Sequence, residues 1–380
     1  MIQRLYVHNF RCLENFDLLL ADKSSMLLIG KNGTGKSTIA SVLEVFQNIG
    51  RGNNQVSQLF SLTDFAQGKT DVPIRIEIEV LLNGVRYEYK IAVELSGGFK
   101  EIRIREERLV ADGKDLFFRD IAQVNLVKNE NLPPSQFTVN WYLVALPVIQ
   151  SNSIDPIYVF KVWLAQMLIL APIPALIAGN SERQSLEPNR QATNYGDWFS
   201  GLIAQSPRAY SIIEHHVKEI LHDMSDITSP VIGRDPRNGV DSRTLLVRFK
   251  AKGSGARIPL DIPFQSLSDG EKIFFIFATV LAVNQTNGPV FCFWDEPDNF
   301  ISLDEVGHFI MALRRSFQSQ GQFIATSHNA TVVRHFSNEN TLLLGRRSHQ
   351  DPTRSVWLNE AKWDGDLVHA LSDNEIEPWE

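Results

Sequence analysis

Residues 30–37 are Gly30-Lys31-Asn32-Gly33-Thr34-Gly35-Lys36-Ser37, which fits the phosphate-binding pattern G-x-x-x-x-G-K-[ST]. The apolar run at residues 26–29 precedes this loop and predicts a buried strand, and apolar residues at helical spacing follow it over residues 39–46. Glycines between a strand and a helix let successive backbone N–H groups point at phosphate oxygens. The stretch therefore predicts a nucleoside-triphosphate site in an α/β fold.

The side chains of this phosphate loop have separate expected roles. Lys36 adds a positive charge for the β- and γ-phosphates, and the Ser37 hydroxyl is a ligand for Mg²⁺. The other residues expected to line the nucleotide are Asn32, Gly33, Thr34, Gly35 and Thr38. The loop thus predicts ATP and Mg²⁺ as cofactors.

Composition sets outer limits on the class of protein. The chain has 380 residues, 43% of them hydrophobic, and a net charge of −7, which fits a globular protein with a substantial core. Two cysteines are too few for a disulfide framework, which favours a reducing, cytoplasmic compartment. The longest apolar stretch, residues 162–177, contains two prolines and is too short to span a membrane. The acidic charge argues against nucleic-acid binding over the whole surface but leaves a local basic patch open.

A period of two governs residues 71–120 and predicts an antiparallel β-meander with one solvent-exposed face. Asn83-Gly84 and Asp112-Gly113 mark tight hairpin turns in it. Three arginines on the exposed face are either a phosphate-backbone patch or an ordinary solvated surface: Arg103, Arg105 and Arg108. The second interpretation is favoured by interleaved carboxylates, which cancel the field: Glu101, Glu106 and Glu107.

Residues 155–224 have a helical pattern. Asp155-Pro156 predicts a helix start with an N-cap and a proline at the first helical position, and Ser206-Pro207 predicts a second start. The second helix carries His215-His216. Adjacent histidines do not share one helix face, so we do not expect a metal site there.

The stretch Ser266-Leu267-Ser268-Asp269-Gly270-Glu271-Lys272 immediately precedes an apolar helix at residues 273–283. A serine and a glycine at a helix N-terminus can form an anion-binding end, where N–H groups and the positive dipole meet. Ser268 and Glu271 also have the spacing of a capping box, which is the structural alternative.

Asp295 and Glu296 directly follow the apolar strand at residues 290–294. Carboxylates at the end of a buried strand need a reason, because burying charge is costly. In a phosphate-loop protein, Asp295 would hold Mg²⁺ and Glu296 would act as the general base for an attacking water. The next predicted strand, residues 322–328, ends at His328, which we expect to hydrogen-bond the γ-phosphate.

This ordered set resembles the ATP-binding cassette class of P-loop ATPases, and more narrowly its SMC-, RecF- and OLD-type (AAA-21-like) group. The motifs are Asn9-Phe10-Arg11, the phosphate loop, the signature Leu267-Ser268-Asp269-Gly270-Glu271, Asp295-Glu296-Pro297 and Thr326-Ser327-His328-Asn329. The resemblance implies an α/β ABC-type head with a central mixed or parallel sheet, an antiparallel β-meander subdomain and a helical insertion. The expected domains are lobe I at 1–150, the insertion at 151–225, lobe II at 226–345 and a C-terminal tail at 346–380.

The resemblance also implies a site shared between two subunits. In that group two subunits hold two ATP molecules head to tail, so Ser268, Gly270 and Glu271 would contact the ATP bound by the other copy. Arg11 would lie near the nucleotide. The family's Mg²⁺-binding glutamine has Gln150 as its candidate in this chain. Asp269 departs from many relatives, which have a second glycine at that position.

The biological output is the least determined part of the resemblance. Lys36 and Ser268 are 232 positions apart, too far for transporter subunits and too close for SMC arms, and the segment after His328 is too short for an OLD-type nuclease. We therefore expect a homodimeric, ATP-gated switch with a separate effector, a nuclease or toxin, as in bacterial anti-phage defence. The alternatives are a RecF-like DNA-repair ATPase, a transporter motor and a nucleotide-binding scaffold with negligible turnover.

Overall fold

The structure is a computed structural model that describes residues 1–95, 97–98, 100–127, 133–234, 241–250 and 259–361. It has two compact units, one of Met1–Met167 with the described part of Phe336–Glu380 and one of Leu168–His335. The described helices are α1 Lys36–Gly50, α2 Val56–Leu59, α3 Pro156–Gln166, α4 Tyr195–Gln205, α5 Arg208–Ile220, α6 Asp269–Thr286, α7 Leu303–Ser319 and α8 Ala330–Arg334. The described strands are β1 Ile2–His8, β2 Phe16–Leu19, β3 Ser25–Ile29, β4 Ile74–Leu82, β5 Val85–Glu94, β6 Arg103–Ala111, β7 Lys114–Asp120, β8 Gln123–Leu126, β9 Ser135–Thr138, β10 Leu168–Leu170, β11 Asn180–Ser181, β12 Met224–Thr228, β13 Val231–Arg234, β14 Asp241–Thr244, β15 Leu246–Phe249, β16 Leu260–Pro263, β17 Phe291–Trp294, β18 Gln322–Thr326, β19 Thr341–Gly345 and β20 Arg354–Trp357.

The first unit contains an eight-stranded antiparallel sheet in the order β2-β1-β4-β5-β6-β7-β8-β9. The predicted meander is confirmed from β4 onward, and the N-terminal strands extend it because β1 pairs with β4. Asn83 and Gly84 join β4 to β5 with φ of 51° and 85°. Positive φ at both turn residues is what a two-residue hairpin of this twist requires, so the Asn-Gly signal is correct.

A bulge changes the expected alternation of β6. The register with β5 shifts between Ala92 and Val93, and as a result both Ile104 and Glu107 face the interior. Glu107, which we expected among the exposed charges, is therefore fully buried. A β-bulge adds one unpaired residue and so exchanges the two faces of the strand beyond it.

Hydrogen bonds offset the free-energy cost of burying the carboxylate of Glu107. It accepts bonds from the backbone N–H groups of Ala145 (2.7 Å) and Leu146 (2.9 Å) and from the hydroxyl of Tyr89 (2.9 Å). Burial raises the pKa of Tyr89 well above its ordinary value, so this hydroxyl remains a donor. The guanidinium of Arg119, whose side chain is also fully buried, lies 3.5 Å from Glu107.

Arg119 connects this carboxylate to the chain that follows the sheet. Its guanidinium donates to the carbonyl oxygens of Asn140 (2.9 Å) and Leu143 (2.5 Å). The pair therefore fixes the segment that leads from β9 toward α3 against the sheet, using a buried charge pair whose other polar atoms are satisfied.

The three arginines of the exposed face are paired, as the solvated-face interpretation predicts. Arg103 and Arg105 lie 2.8 and 3.7 Å from carboxylate oxygens of Glu94, and Arg108 lies 2.6 Å from Asp115. Arg103 and Arg105 share the carboxylate of Glu94, and Arg108 has that of Asp115, so carboxylates on the adjacent strands weaken the positive field that a phosphate backbone would need.

The phosphate loop joins β3 to α1 in the same unit. β3 is buried along its whole length and pairs in parallel with β19, which in turn pairs antiparallel with β20. α1 buries its apolar face, which includes Ile39, Leu43 and Phe46, and packs against α3. The predicted start of α3 is confirmed, because Asp155 accepts a hydrogen bond from the N–H of Ile157 with Pro156 at the first helical position.

The second unit is built on the parallel strands β10, β17 and β18, with β17 in the middle. Two small antiparallel sheets accompany them, in the orders β11-β14-β13 and β12-β15-β16. α6 is buried on nearly all sides from Lys272 to Asn284. The α/β class predicted from the sequence is confirmed.

The region expected as a helical insertion, residues 151–225, is not purely helical. It contains α3, α4 and α5, but also β10, which pairs in parallel with β17. The domain boundaries at 150, 225 and 345 stay a prediction, and residues 362–380 of the expected tail lie outside the described residues. Among the residues that are described, no helix combines the length and the apolar character needed to cross a membrane.

We expect Arg119→Met to lower the free energy of unfolding by about 3–5 kcal/mol, because it leaves the buried carboxylate of Glu107 without its opposite charge. Arg105→Met is the matched control. The Arg105 side chain is 57% exposed and its carboxylate partner is 3.7 Å away. Arg105→Met should therefore lower the free energy of unfolding by about 1 kcal/mol or less. Urea unfolding followed by circular dichroism measures both variants, and equal losses would contradict a special role for the buried pair.

Candidate functional site

The backbone of the phosphate loop adopts conformations that favour glycine. Gly30, Gly33 and Gly35 have φ of 145°, 81° and 101°, in the region that side chains disfavour. A Cβ on Gly30 would also lie 2.2 Å from the carbonyl oxygen of Leu344, at the end of β19. Glycine is therefore required at the first position of the motif by both conformation and space.

The ammonium group of Lys36 is held inside this loop. Lys36 is buried, and its Nζ donates to the carbonyl oxygens of Gly30 (2.7 Å) and Lys31 (3.1 Å). Ser37 and Thr38 follow in the first turn of α1, which contains no acidic residue. The positive end of the helix dipole and the positive charge of Lys36 therefore both lie at the phosphate loop, where they would attract a phosphate group.

Arg11 lies beside the first two turns of α1. Its Nε is 2.8 Å from an oxygen of Asp64, and its Nη1 is 3.2 Å from the hydroxyl of Ser41. The Ser41 hydroxyl in turn donates to the carbonyl of Ser37. The structure thus places Arg11 near the phosphate loop, and its role toward a nucleotide stays a prediction.

Thr353 and Arg346, which the sequence analysis did not identify, hydrogen-bond to backbone carbonyls of the phosphate loop. The hydroxyl of Thr353 donates to the carbonyl of Thr34 (2.9 Å), and Arg346 donates to the carbonyl of Gly33 (3.0 Å). A Cβ on Gly35 would lie 3.0 Å from the same Thr353 hydroxyl oxygen. These partners are 313 and 319 positions from the loop, so no local pattern could have indicated them.

Gln150 is not placed for the role that the resemblance implied. It lines a cavity together with Gly50, the last residue of α1, whereas Ser37 is at the first turn of that helix. A 15-residue helix is about 20 Å long, so the structure does not bring Gln150 and Ser37 together. Gln150 was a candidate because it lies between the phosphate loop and the signature in the sequence. Position along the chain does not determine the distance between two side chains in the folded protein.

In the second unit, Asp295 and Glu296 directly follow β17. Both are hydrogen-bonded by Thr326, the last residue of β18. The Thr326 hydroxyl donates to Asp295 (2.6 Å) and accepts a bond from the N–H of Glu296 (2.9 Å). An Nη atom of Arg190 lies 3.5 Å from the other oxygen of Asp295. Thr326 was part of a predicted motif, but only the contact itself shows that it orients the carboxylates.

Glu296 and His328, predicted separately, lie side by side. The Oε1 atom of Glu296 is 3.6 Å from Nε2 of His328, and Oε2 accepts a 2.6 Å hydrogen bond from Asn299. Glu296 has a φ of 51°, which is unusual for a residue other than glycine. Its side chain is 37% exposed, so a water molecule can reach the carboxylate.

The loop after these carboxylates is tied to the residues around His328. Side chains of Ser327 and Asn329 hydrogen-bond to Asp298, and these bonds oppose the rise in pKa that burial causes in this carboxyl. Farther along the same loop, the carbonyl oxygen of Phe300 approaches the signature. A Cβ on Gly270 would lie 2.9 Å from that oxygen, which explains the glycine.

The signature forms the capping box that was the structural alternative for it. Ser268 caps α6 and accepts a bond from the N–H of Glu271, whose carboxylate accepts a bond from the N–H of Ser268 (2.7 Å). Asp269 and Glu271 also place two negative charges in the first turn, where they already complement the dipole. The contacts of Ser268, Gly270 and Glu271 with ATP stay a prediction.

Comparison with known proteins supports the resemblance. Residues 1–134 match the family model described as the AAA ATPase domain. Comparison of the sequence with curated proteins finds no match.

Three solved structures of SMC heads align with nearly the whole chain. An SMC head bound to the C-terminal winged-helix domain of ScpA is 13% identical, with a TM-score of 0.54, and the match covers 94% of this chain and 98% of that one. The SMC head domain from Thermotoga maritima is 14% identical (TM-score 0.45; coverage 93% and 98%). The Smc head of Pyrococcus furiosus with an extended coiled coil, bound to the C-terminal domain of ScpA, is 13% identical (TM-score 0.49; coverage 98% and 99%). The first of these matches, with a TM-score of 0.54, shows that the chain has the fold of an SMC head.

We expect Thr353→Val to weaken ATP binding by about fivefold or more, because the carbonyl of Thr34 would lose its hydrogen bond in a buried place. Thr353→Ser keeps the hydroxyl and is the matched control. Isothermal titration calorimetry with ATP and Mg²⁺ compares both variants with the wild-type chain. The same affinity in all three proteins would show that this support does not act on nucleotide binding.

Proposed function

We propose that this chain, which has the fold of an SMC head and an AAA ATPase domain match at residues 1–134, binds and hydrolyses ATP. The observation that carries the proposal is the setting of Glu296. This carboxylate is held at an unusual backbone angle, hydrogen-bonded by Asn299, close to His328 and still open to solvent. Strain of this kind persists where the surroundings impose it, and it is concentrated at functional sites.

The residues of the phosphate loop fit a triphosphate. The glycines leave room for phosphate oxygens near the backbone, and Lys36 is held by two carbonyl oxygens that a phosphate could replace as its partners. Ser37 and Asp295 have the oxygen donors that Mg²⁺ prefers, and the ion would neutralise phosphate charge when bound. We propose that Lys36 and the loop N–H groups hold the nucleotide.

We assign the proton transfer to Glu296. Its carboxylate would accept a proton from the attacking water, while Asn299 keeps the carboxylate oriented. His328 would donate a hydrogen bond toward the γ-phosphate and, through its proximity to Glu296, would connect nucleotide binding to the position of the base. Thr326 aligns Asp295 and the backbone of Glu296 for these roles.

We further propose that ATP joins two copies of the chain. The reason is the resemblance to ATPases whose signature residues act across a dimer, which assigns Ser268, Gly270 and Glu271 to the nucleotide of the other copy. The capping box occupies the Glu271 carboxylate in the single chain, so this role would require the first turn of α6 to exchange that bond for contacts to phosphate.

The output that we propose is control of a separate protein. The SMC head of similar fold is bound to a domain of ScpA, which is a precedent for a head that acts through a partner. By the resemblance stated above, the partner would be a nuclease or toxin of an anti-phage defence system in the cytoplasm.

An ATP-dependent DNA-binding role of RecF type is the alternative. The described sheet does not favour it, because each of the three arginines that could meet a phosphate backbone is paired with a carboxylate. The formal net charge of −7 points the same way.

We expect Lys36→Ala to weaken ATP binding by roughly ten- to a hundredfold, since a hydrogen bond to a charged group contributes about 1.5–3 kcal/mol. Calorimetric titration with ATP is the measurement. Lys100→Ala, which removes an exposed lysine from the same unit, is the control and should bind like the wild-type chain. Unchanged affinity in the Lys36 variant would refute the assignment of the loop.

We expect Glu296→Gln to slow ATP hydrolysis by about 10²- to 10⁴-fold, because the amide cannot act as a base, while ATP binding is retained. Glu182→Gln makes the same chemical change at an exposed position of the same unit and should hydrolyse ATP at the normal rate. Phosphate release gives the rate, and sedimentation velocity with ATP tests for an accumulated dimer. Hydrolysis at the wild-type rate would exclude Glu296 as the base; a variant that binds ATP but stays monomeric would exclude the proposed dimer.

A further inference from the structure

We propose that His215, His216 and Glu219 on α5 form a binding site for a divalent transition-metal ion of the Zn²⁺ class. The one ligand atom that each residue offers lies within 4.8 Å of the other two. Nε2 of His215 is 3.5 Å from one carboxylate oxygen of Glu219, and Nδ1 of His216 is 3.1 Å from the other. Zinc bonds of about 2.0–2.2 Å in a tetrahedron need ligand atoms roughly 3.4 Å apart, so small side-chain rotations complete the arrangement.

Glu219 is the residue that the sequence-based argument about His215 and His216 left out. Neighbouring positions on a helix differ by about 100°, so His215 and His216 alone diverge. Glu219 is four positions after the first histidine and three after the second, and both of these spacings bring side chains together on a helix surface. One carboxylate therefore lies between two imidazoles, and Glu219 also precedes His222 by three positions, which is the Glu-x-x-His spacing.

The packing of α5 against the core holds the helix that carries this cluster in a fixed position. The opposite face of the helix buries Ala209, Ile213 and Val217, and α5 packs against α6. The ring of His216 meets the ring of Phe277 edge-on, with centroids 6.2 Å apart, and its side chain is only 21% exposed. One ligand is thus oriented by the core, and pre-positioned ligands lose less freedom on binding an ion.

Charge around the cluster also suits a cation. Lys218, the closest positive residue in sequence, has its ammonium 2.6 Å from Glu214, which satisfies that charge within the helix. His216 and Glu219 line a groove of about 930 Å³ whose wall contains one arginine, Arg315, and the further potential ligands His222, Asp304, Glu305 and His308. A fourth coordination position can be filled from this wall or by water.

His222 has a hydrogen bond of the kind that metal-binding histidines make. Its Nδ1 lies 3.1 Å from the carbonyl oxygen of Lys218, which can only accept, so Nδ1 carries the proton and Nε2 is left as a lone-pair donor. Two imidazoles and a carboxylate favour Zn²⁺, Ni²⁺ or Cu²⁺ over Ca²⁺ and Mg²⁺, which prefer all-oxygen ligands.

The test is titration of the metal-free, untagged full chain with Zn²⁺ by calorimetry. We expect one site with a Kd in the micromolar range. His215→Ala and Glu219→Gln should each weaken binding by about tenfold or more, since even residues that only orient ligands change metal affinity by 10- to 100-fold. Both side chains are more than half exposed, so their removal should not unfold the protein. His8→Gln, in the other unit, is the control and should leave the affinity unchanged.

A second readout separates a real site from loss of structure. Bound Co²⁺ should give the visible absorption of a tetrahedral nitrogen–oxygen site in the wild-type chain and lose it in the His215→Ala/His216→Ala double variant, with circular dichroism unchanged. Absence of saturable Zn²⁺ binding, or equal affinity in the wild-type chain and the double variant, would overturn the proposal. Loss of binding in His308→Ala but not in His215→Ala would overturn it as well, by assigning the ion to α7. None of these outcomes depends on ATP hydrolysis.

Discussion

The carbonyl oxygen of Leu344 leaves no room for a side chain at Gly30, and the geometry of the phosphate loop depends on that close approach. β3 ends against β19, the chain turns through the positive φ angles of Gly30, Gly33 and Gly35, and α1 begins at Lys36, seven positions after the end of β3. The same turn brings Lys36 back over the loop carbonyls. A larger residue at position 30 would displace the strand end, the lysine and the helix start together, because all three share one short piece of backbone.

At Glu296 a different kind of constraint operates, in which a few side chains maintain an unfavourable backbone conformation. A left-handed conformation at a residue such as Glu296 costs on the order of 1 kcal/mol or more. Thr326 bonds its N–H and Asn299 bonds its carboxylate, so the neighbours oppose relaxation. Stability is thus given up locally in return for an oriented carboxylate, and the burial of α6 and β17 nearby offsets the loss.

Much of this architecture follows from local sequence signals. The buried strand β3, the start of α3 at Asp155 and the Asn83-Gly84 hairpin are determined by residues close together in the chain, and each was predicted correctly. The failures have physical causes of another kind. Glu107 is buried because a bulge exchanges the faces of β6, and a bulge has no fixed pattern. Gln150 was placed by order along the chain, which does not determine distance in space. Thr353 and Arg346 act over more than three hundred positions, so only the folded chain shows them.

The distance between Thr34 and Thr353 along the chain also has a consequence in time. β3 cannot pair with β19 until Thr341, 314 positions after its partner Leu27, has been synthesised. The phosphate loop cannot gain its hydrogen bond from Thr353 until 319 residues beyond Thr34 have been synthesised. At about 5–20 residues per second, a ribosome needs roughly 15 to 60 seconds for that length. During this interval β3, in which Ser25 is followed by four apolar residues, has an unpaired edge beside an unfinished loop. A nascent chain would therefore complete the support of its nucleotide site only after Thr353 has been synthesised, and until then β3 is a segment that chaperones are suited to cover.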